Sequence, residues 1–97
     1  MRRSLKGIWE NLHRVVPCGM GPTASDFHRI HLALTEKGSG ELPEELERAV
    51  VRALDLITPK GAEVSHEDRR ANMTAAEHAE LRGIVERVFA HVDGLRA

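Results

Sequence analysis

Apolar side chains recur at helical spacing in three stretches of the chain and alternate in a fourth. Leu5, Ile8, Trp9, Leu12 and Val16 fall at i, i+3, i+4, i+7 and i+11 and form one stripe. Lys6, Glu10, Asn11 and Arg14 lie off it, Ser4 supplies a capping hydroxyl and Pro17 stops the pattern, so a helix is expected over 4–16. Over 43–58 the stripe is Leu46, Val50, Ala53, Leu54 and Ile57. Pro43 suits a first turn, Glu44, Glu45 and Glu47 complement the positive end of the dipole, and Thr58-Pro59 ends the helix. Val51 and Leu56 lie off this stripe, which predicts contacts on more than one side. Over 74–94, Thr74 and Glu77 make a capping box, followed by Leu81, Ile84, Val85, Val88, Phe89, Val92 and Leu95 at helical period. Gly83 falls on the polar side and costs roughly 1 kcal/mol relative to Ala.

The fourth stretch, Asp26–Gly38, alternates Ile30, Leu32 and Leu34 with Arg29, His31 and Ala33, the period of a half-buried strand. Phe27, Ile30, His31 and Leu34 also sit at helical spacing, so periodicity admits both readings and the strand is preferred. Before it, residues 17–25 hold Gly19, Gly21 and Pro22 and read as a turn-rich loop. Residues 59–73 are polar, charged and aperiodic, a linker with room for one helical turn at 65–70. The expected architecture is one small, mostly α domain over 1–97, with a short wing-like loop and strand at 17–34.

The run Asp26–x7–Leu34-Thr35-x-Lys37-Gly38 resembles the end of the wing in winged-helix regulators of the MarR (multiple antibiotic resistance regulator) family. There an Asp-x-Arg near the wing tip precedes an alternating strand and a Leu-Thr-x-x-Gly entry into a long helix. Here His28 stands where the Arg is expected, with Arg29 one place on. SLKGIWENLHR is similar to the family's recognition helix in spacing and length, although Val15-Val16-Pro17-Cys18 replaces the usual Gly-Leu-Val ending. MTAAEHAELRGIVERVFAHVDGL resembles the last helix, a Thr-x-x-Glu start before Leu-x-x-Ile/Leu repeats.

The resemblance implies a truncated winged-helix-like fold, since the family's first three helices would precede residue 4. It implies a transcription regulator, or a fragment of one, that binds double-stranded DNA or pairs with a fuller regulator. Arg3, Lys6, Asn11 and Arg14 would then face the major groove or phosphates, and His28 and Arg29 the minor groove. It also implies a homodimer or heterodimer seam on the second and last helices, through Leu54, Ile57, Leu81, Val85, Val88, Phe89 and Val92. The alternative class is a helical protein–protein interaction module without nucleic-acid binding.

Composition narrows these classes little. The net charge of -1 gives no overall nucleic-acid signature, although five basic residues crowd 1–14 against Glu10, and 36–47 is acidic. With 30% charged and 41% hydrophobic residues, the chain is ordinary for a globular protein. No run of 18 apolar residues predicts a membrane span, and no apolar core follows the basic start to make a secretory signal. The single Cys18 excludes an internal disulfide, so a cytoplasmic location is expected. His13, Cys18, His28 and His31 are four zinc-type donors whose spacing matches no Cys/His finger. On a helix His28 and His31 share a face, and on a strand they point oppositely, so the preferred strand argues against a metal site. No cofactor is expected. The chain has no phosphate loop, nucleophile elbow or His-Glu-x-x-His, and no enzymatic activity is expected.

Overall fold

The computed structural model describes residues 2–16, 24–58 and 65–95, apart from the side chains at 24 and 25. The described residues form five helices, α1 (Leu5–Leu12), α2 (Ala24–Thr35), α3 (Glu44–Ile57), α4 (His66–Asn72) and α5 (Ala75–Leu95). The α1 helix packs against α2 and α5, α3 against α5 and α2, and α4 against α2 and α3. Four of these starts follow from the local sequence. Ser4 Oγ accepts from Gly7 N at 3.0 Å, and Ser65 Oγ from Asp68 N at 3.1 Å. At α5, Thr74 N donates to Glu77 Oε1 at 3.0 Å while Glu77 N donates to Thr74 Oγ1 at 3.1 Å, the reciprocal box expected there. Pro43 sits one place earlier than expected, at the N-cap of α3.

The strand expected over 26–34 is a helix. Phe27, Ile30, Ala33 and Leu34 are fully buried, a stripe at i, i+3, i+6 and i+7, whereas Leu32, a member of the alternating set, is 45% exposed. Helical burial encloses Phe27 together with Ile30 and Leu34, whereas the strand would have placed Phe27 on the face opposite the other two, and each such side chain contributes roughly 1.5–3 kcal/mol. The wing strand is therefore overturned; of the loop expected over 17–25, residues 24 and 25 open α2 and 17–23 lie outside the described residues. The linker expected over 59–73 is also corrected in part. Residues 66–72 are α4, which ends on the buried Met73, and 59–64 lie outside the described residues.

Extended pairing does occur elsewhere. Arg3 bridges antiparallel to Lys37 and Gly40, with Arg3 N donating to Gly40 O at 2.8 Å and Gly40 N returning to Arg3 O at 2.9 Å. Gly38 is required at this crossing, because a Cβ there would lie 2.4 Å from Ser4 Cα and 2.6 Å from Ser4 N. The core runs from Ile8 and Leu12 of α1 through the α2 stripe to Val50, Ala53, Leu56 and Ile57 of α3, closed by Leu81, Val85, Val88 and Val92 of α5. Five residues of the expected dimer seam, Ile57, Leu81, Val85, Val88 and Val92, are thus in the core of a single chain. Within the single chain, α1 and α3 pack against α5, and its stripe is buried without a second copy.

Candidate functional site

Of the DNA-facing residues expected from the resemblance, Arg3 does not reach the surface. Arg3 is 3% exposed and turned inward. Its Nε donates to Glu47 Oε1 at 2.7 Å, its Nη2 to Glu47 Oε2 at 3.1 Å, and its Nη1 to the Leu34 carbonyl. That fork fixes the N-terminal segment to the end of α2 and the start of α3. Hydrogen bonding to Arg3 holds the Glu47 carboxyl below its ordinary range, against the opposing cost of burial. Asn11 spends its amide on Gly7 O at 2.9 Å. Lys6 and Arg14 are exposed, His28 is exposed, and Arg29 is half-buried, now on a helix.

The metal candidates separate as well. His13 stacks on Trp9, with ring centroids 4.4 Å apart and planes 10° off parallel, and its Nδ1 lies 3.0 Å from Trp9 O. Cys18 is outside the described residues. His28 and His31 do share one face of α2, and there they meet His66, the first residue of α4. Both rings have centroids 5.9 Å from that of His66. Burial, then the nearby His31 and His28, push the His66 imidazole below its ordinary value. Among the described residues no group of three or more His, Cys, Asp or Glu could hold a metal ion. Sequence reasoning missed His66 because only the fold of α4 onto α2 brings it there.

The other feature missed is the outer face of α3. Val51 is 62% exposed at its centre, with half-buried Leu54 beside it and Arg48, Arg52, Asp55 and Thr58 around them. Arg48 Nη2 donates to Glu44 Oε1 at 2.6 Å within α3. Arg52 reaches across to α5, donating from Nε and Nη2 to Glu80 at 2.8 and 3.0 Å, and lies 3.6 Å from Asp55. Arg52 holds the Glu80 carboxyl below its ordinary range. Alongside, Ala49 of α3 and Ala79 and Gly83 of α5 floor a shallow groove. The off-stripe position of Val51 was the sequence signal for this face.

No family model, curated protein or solved structure matches the chain. Among the described residues no helix is long and apolar enough to cross a membrane.

Proposed function

We propose that the protein is a helical protein–protein interaction module that pairs with a second copy of itself through the outer face of α3. The observation that carries this reading is Val51, a β-branched apolar residue 62% exposed at the middle of a helix whose other large apolar residues are at least half-buried. The charges around it favour a second copy as the occupant. Arg48 lies one turn before Val51 and Asp55 one turn after, so two antiparallel α3 helices crossing at Val51 bring Arg48 of each beside Asp55 of the other. The small Ala49, Ala79 and Gly83 next to the crossing let a second helix approach closely. The face is a single helix wide, so the pairing is expected to be weak, with Kd in the micromolar range, about -8 kcal/mol.

Sedimentation across a concentration series tests this. The weight-average mass should rise through the micromolar range, and Val51→Asp should hold it at the monomer value. A wild-type mass that stays monomeric to about 100 μM sinks the reading.

A second reading keeps the MarR-like regulator, supported by the exposed Arg2, Lys6 and Arg14 at and around α1. The surface contacts of Arg2 with Glu41 at 3.9 Å and Lys6 with Glu10 at 3.8 Å are weak enough to yield to phosphate. Under this reading a duplex binds at low salt, and Lys6→Ala with Arg14→Ala weakens binding and flattens its salt slope by up to about 0.9 per lost phosphate contact. A titration without binding at low salt removes it.

A further inference from the structure

We propose that His66, seated against His28 and His31, is an acid-operated latch between α2 and α4, closed while its imidazole is neutral and opened when it takes up a proton. The inference does not depend on pairing through α3, which uses a different face.

The geometry carries it. His28 and His31 stand one turn apart on α2, and the first residue of α4 sets its ring against both, 5.9 Å from each and tilted by 46° and 48°. Neutral rings at this separation and tilt are in aromatic contact, whereas imidazolium rings repel. His66 is half-buried, so a proton there also loses hydration.

The surrounding charges offer little compensation. On α4 the neighbours in sequence are Glu67 and Asp68, both exposed, and no carboxylate is among the groups that act on His66. Arg69 donates to Leu56 O at 2.6 Å and to Glu77 Oε2 at 2.9 Å, so it is committed to α3 and α5. Arg70, the remaining charge of α4, is a cation and adds nothing that would hold an imidazolium. On α2 the charged residues are Asp26 and Arg29, one of each sign. On α3 the last two charges are Arg52 and Asp55, which pair with Glu80 and with each other, and α5 faces α4 with Glu77, paired to Arg69, and with His78, whose Nε2 lies 3.0 Å from Arg70 O.

The sign follows. The packed form depresses His66 below the ordinary 6.5, so unpacked His66 binds the proton first. Closure is full above about pH 6.5 and weakens as the pH falls through that value, tenfold for each unit of depression. The α4 helix is short and, among the described residues, contributes no buried side chain of its own before Met73. It is therefore the element that yields first, uncovering the end of α3 at Leu56 and Ile57.

The test is amide hydrogen exchange of the full chain at about pH 7.5 and about pH 5.5, corrected for intrinsic rates, with NMR titration of each histidine ring. Protection over 66–72 should fall several-fold on acidification while that of the α5 core holds, and His66 should titrate below 6.5. His66→Gln should remove the pH dependence, and His28→Gln with His31→Gln should reduce it in a chain that keeps His66. Unchanged α4 protection in the wild type overturns the latch, as does an undiminished response in His66→Gln. Zinc sulfate at about pH 7.5 adds a further arm: stabilisation by zinc that His66→Gln abolishes would make the cluster a metal site and overturn the proton reading.

Discussion

Arg3 joins three distant parts of the chain with one guanidinium, since its partners Leu34 and Glu47 lie 31 and 44 residues away. Among the described residues no buried side-chain donor or acceptor lacks a partner, and this fork contributes three long-range hydrogen bonds to that matching. Arg3→Met should cost about 2–4 kcal/mol in urea unfolding, toward the low end because Glu47 keeps some access to water. The pH response identifies the cause. Glu47 is depressed from its ordinary 4.5, so its contribution is complete above that value and is lost as pH falls through the lower folded value. The wild type should therefore lose stability on acidification below about pH 4.5, and Arg3→Met should lose less over the same window. None of this was legible locally. An arginine ahead of an amphipathic helix has the same sequence signature whether it points to water, to phosphate or inward, and only its partners distinguish the cases.

Among the elements, α5 and α3 were legible almost to the residue, because a capping box or an acidic first turn precedes a sustained stripe. The α2 helix was not. With β-branched Ile30 and leucines at alternate positions, its local pattern fits both periods, and the decision came from Phe27, which only the helix brings onto the same buried face as Leu34. Two glycines give opposite expectations for the same change. Nothing lies within 4 Å of a Cβ at Gly83, so Gly83→Ala should stabilise by up to about 1 kcal/mol. At Gly38 a Cβ would meet the Ser4 backbone, so Gly38→Ala should destabilise and loosen the Arg3 crossing. Thermal midpoints that move in the same direction for both would show that one of these environments is wrongly assigned.

For the whole molecule, the expected seam set Leu81, Val85, Val88 and Val92 of α5 against a second copy. In the single chain those residues are already buried, with α1 and α3 packed against α5. Val88 and Val51 now separate folding from assembly. Val88 is fully buried, so Val88→Asp should unfold the chain, at a cost of several kcal/mol for an unpaired buried charge. Val51→Asp should leave the thermal midpoint of a dilute sample nearly unchanged while abolishing self-association. Circular dichroism melts alongside sedimentation check both. If Val51→Asp also unfolds the protein, α3 is not a free outer face.

The two ends of the described chain meet at a chromophore. The sole tryptophan, Trp9, donates through Nε1 to Asp93 Oδ1 at 2.9 Å, joining α1 to the last turns of α5. Its emission is thus a built-in gauge of one particular contact. Loss of the α1–α5 seam hydrates the indole and shifts the spectrum to the red, whereas movement of α4, which packs on α2 and α3, leaves the colour unchanged. A fluorometer can therefore report global opening in the same cuvette in which hydrogen exchange follows the local kind, with no label added to the chain.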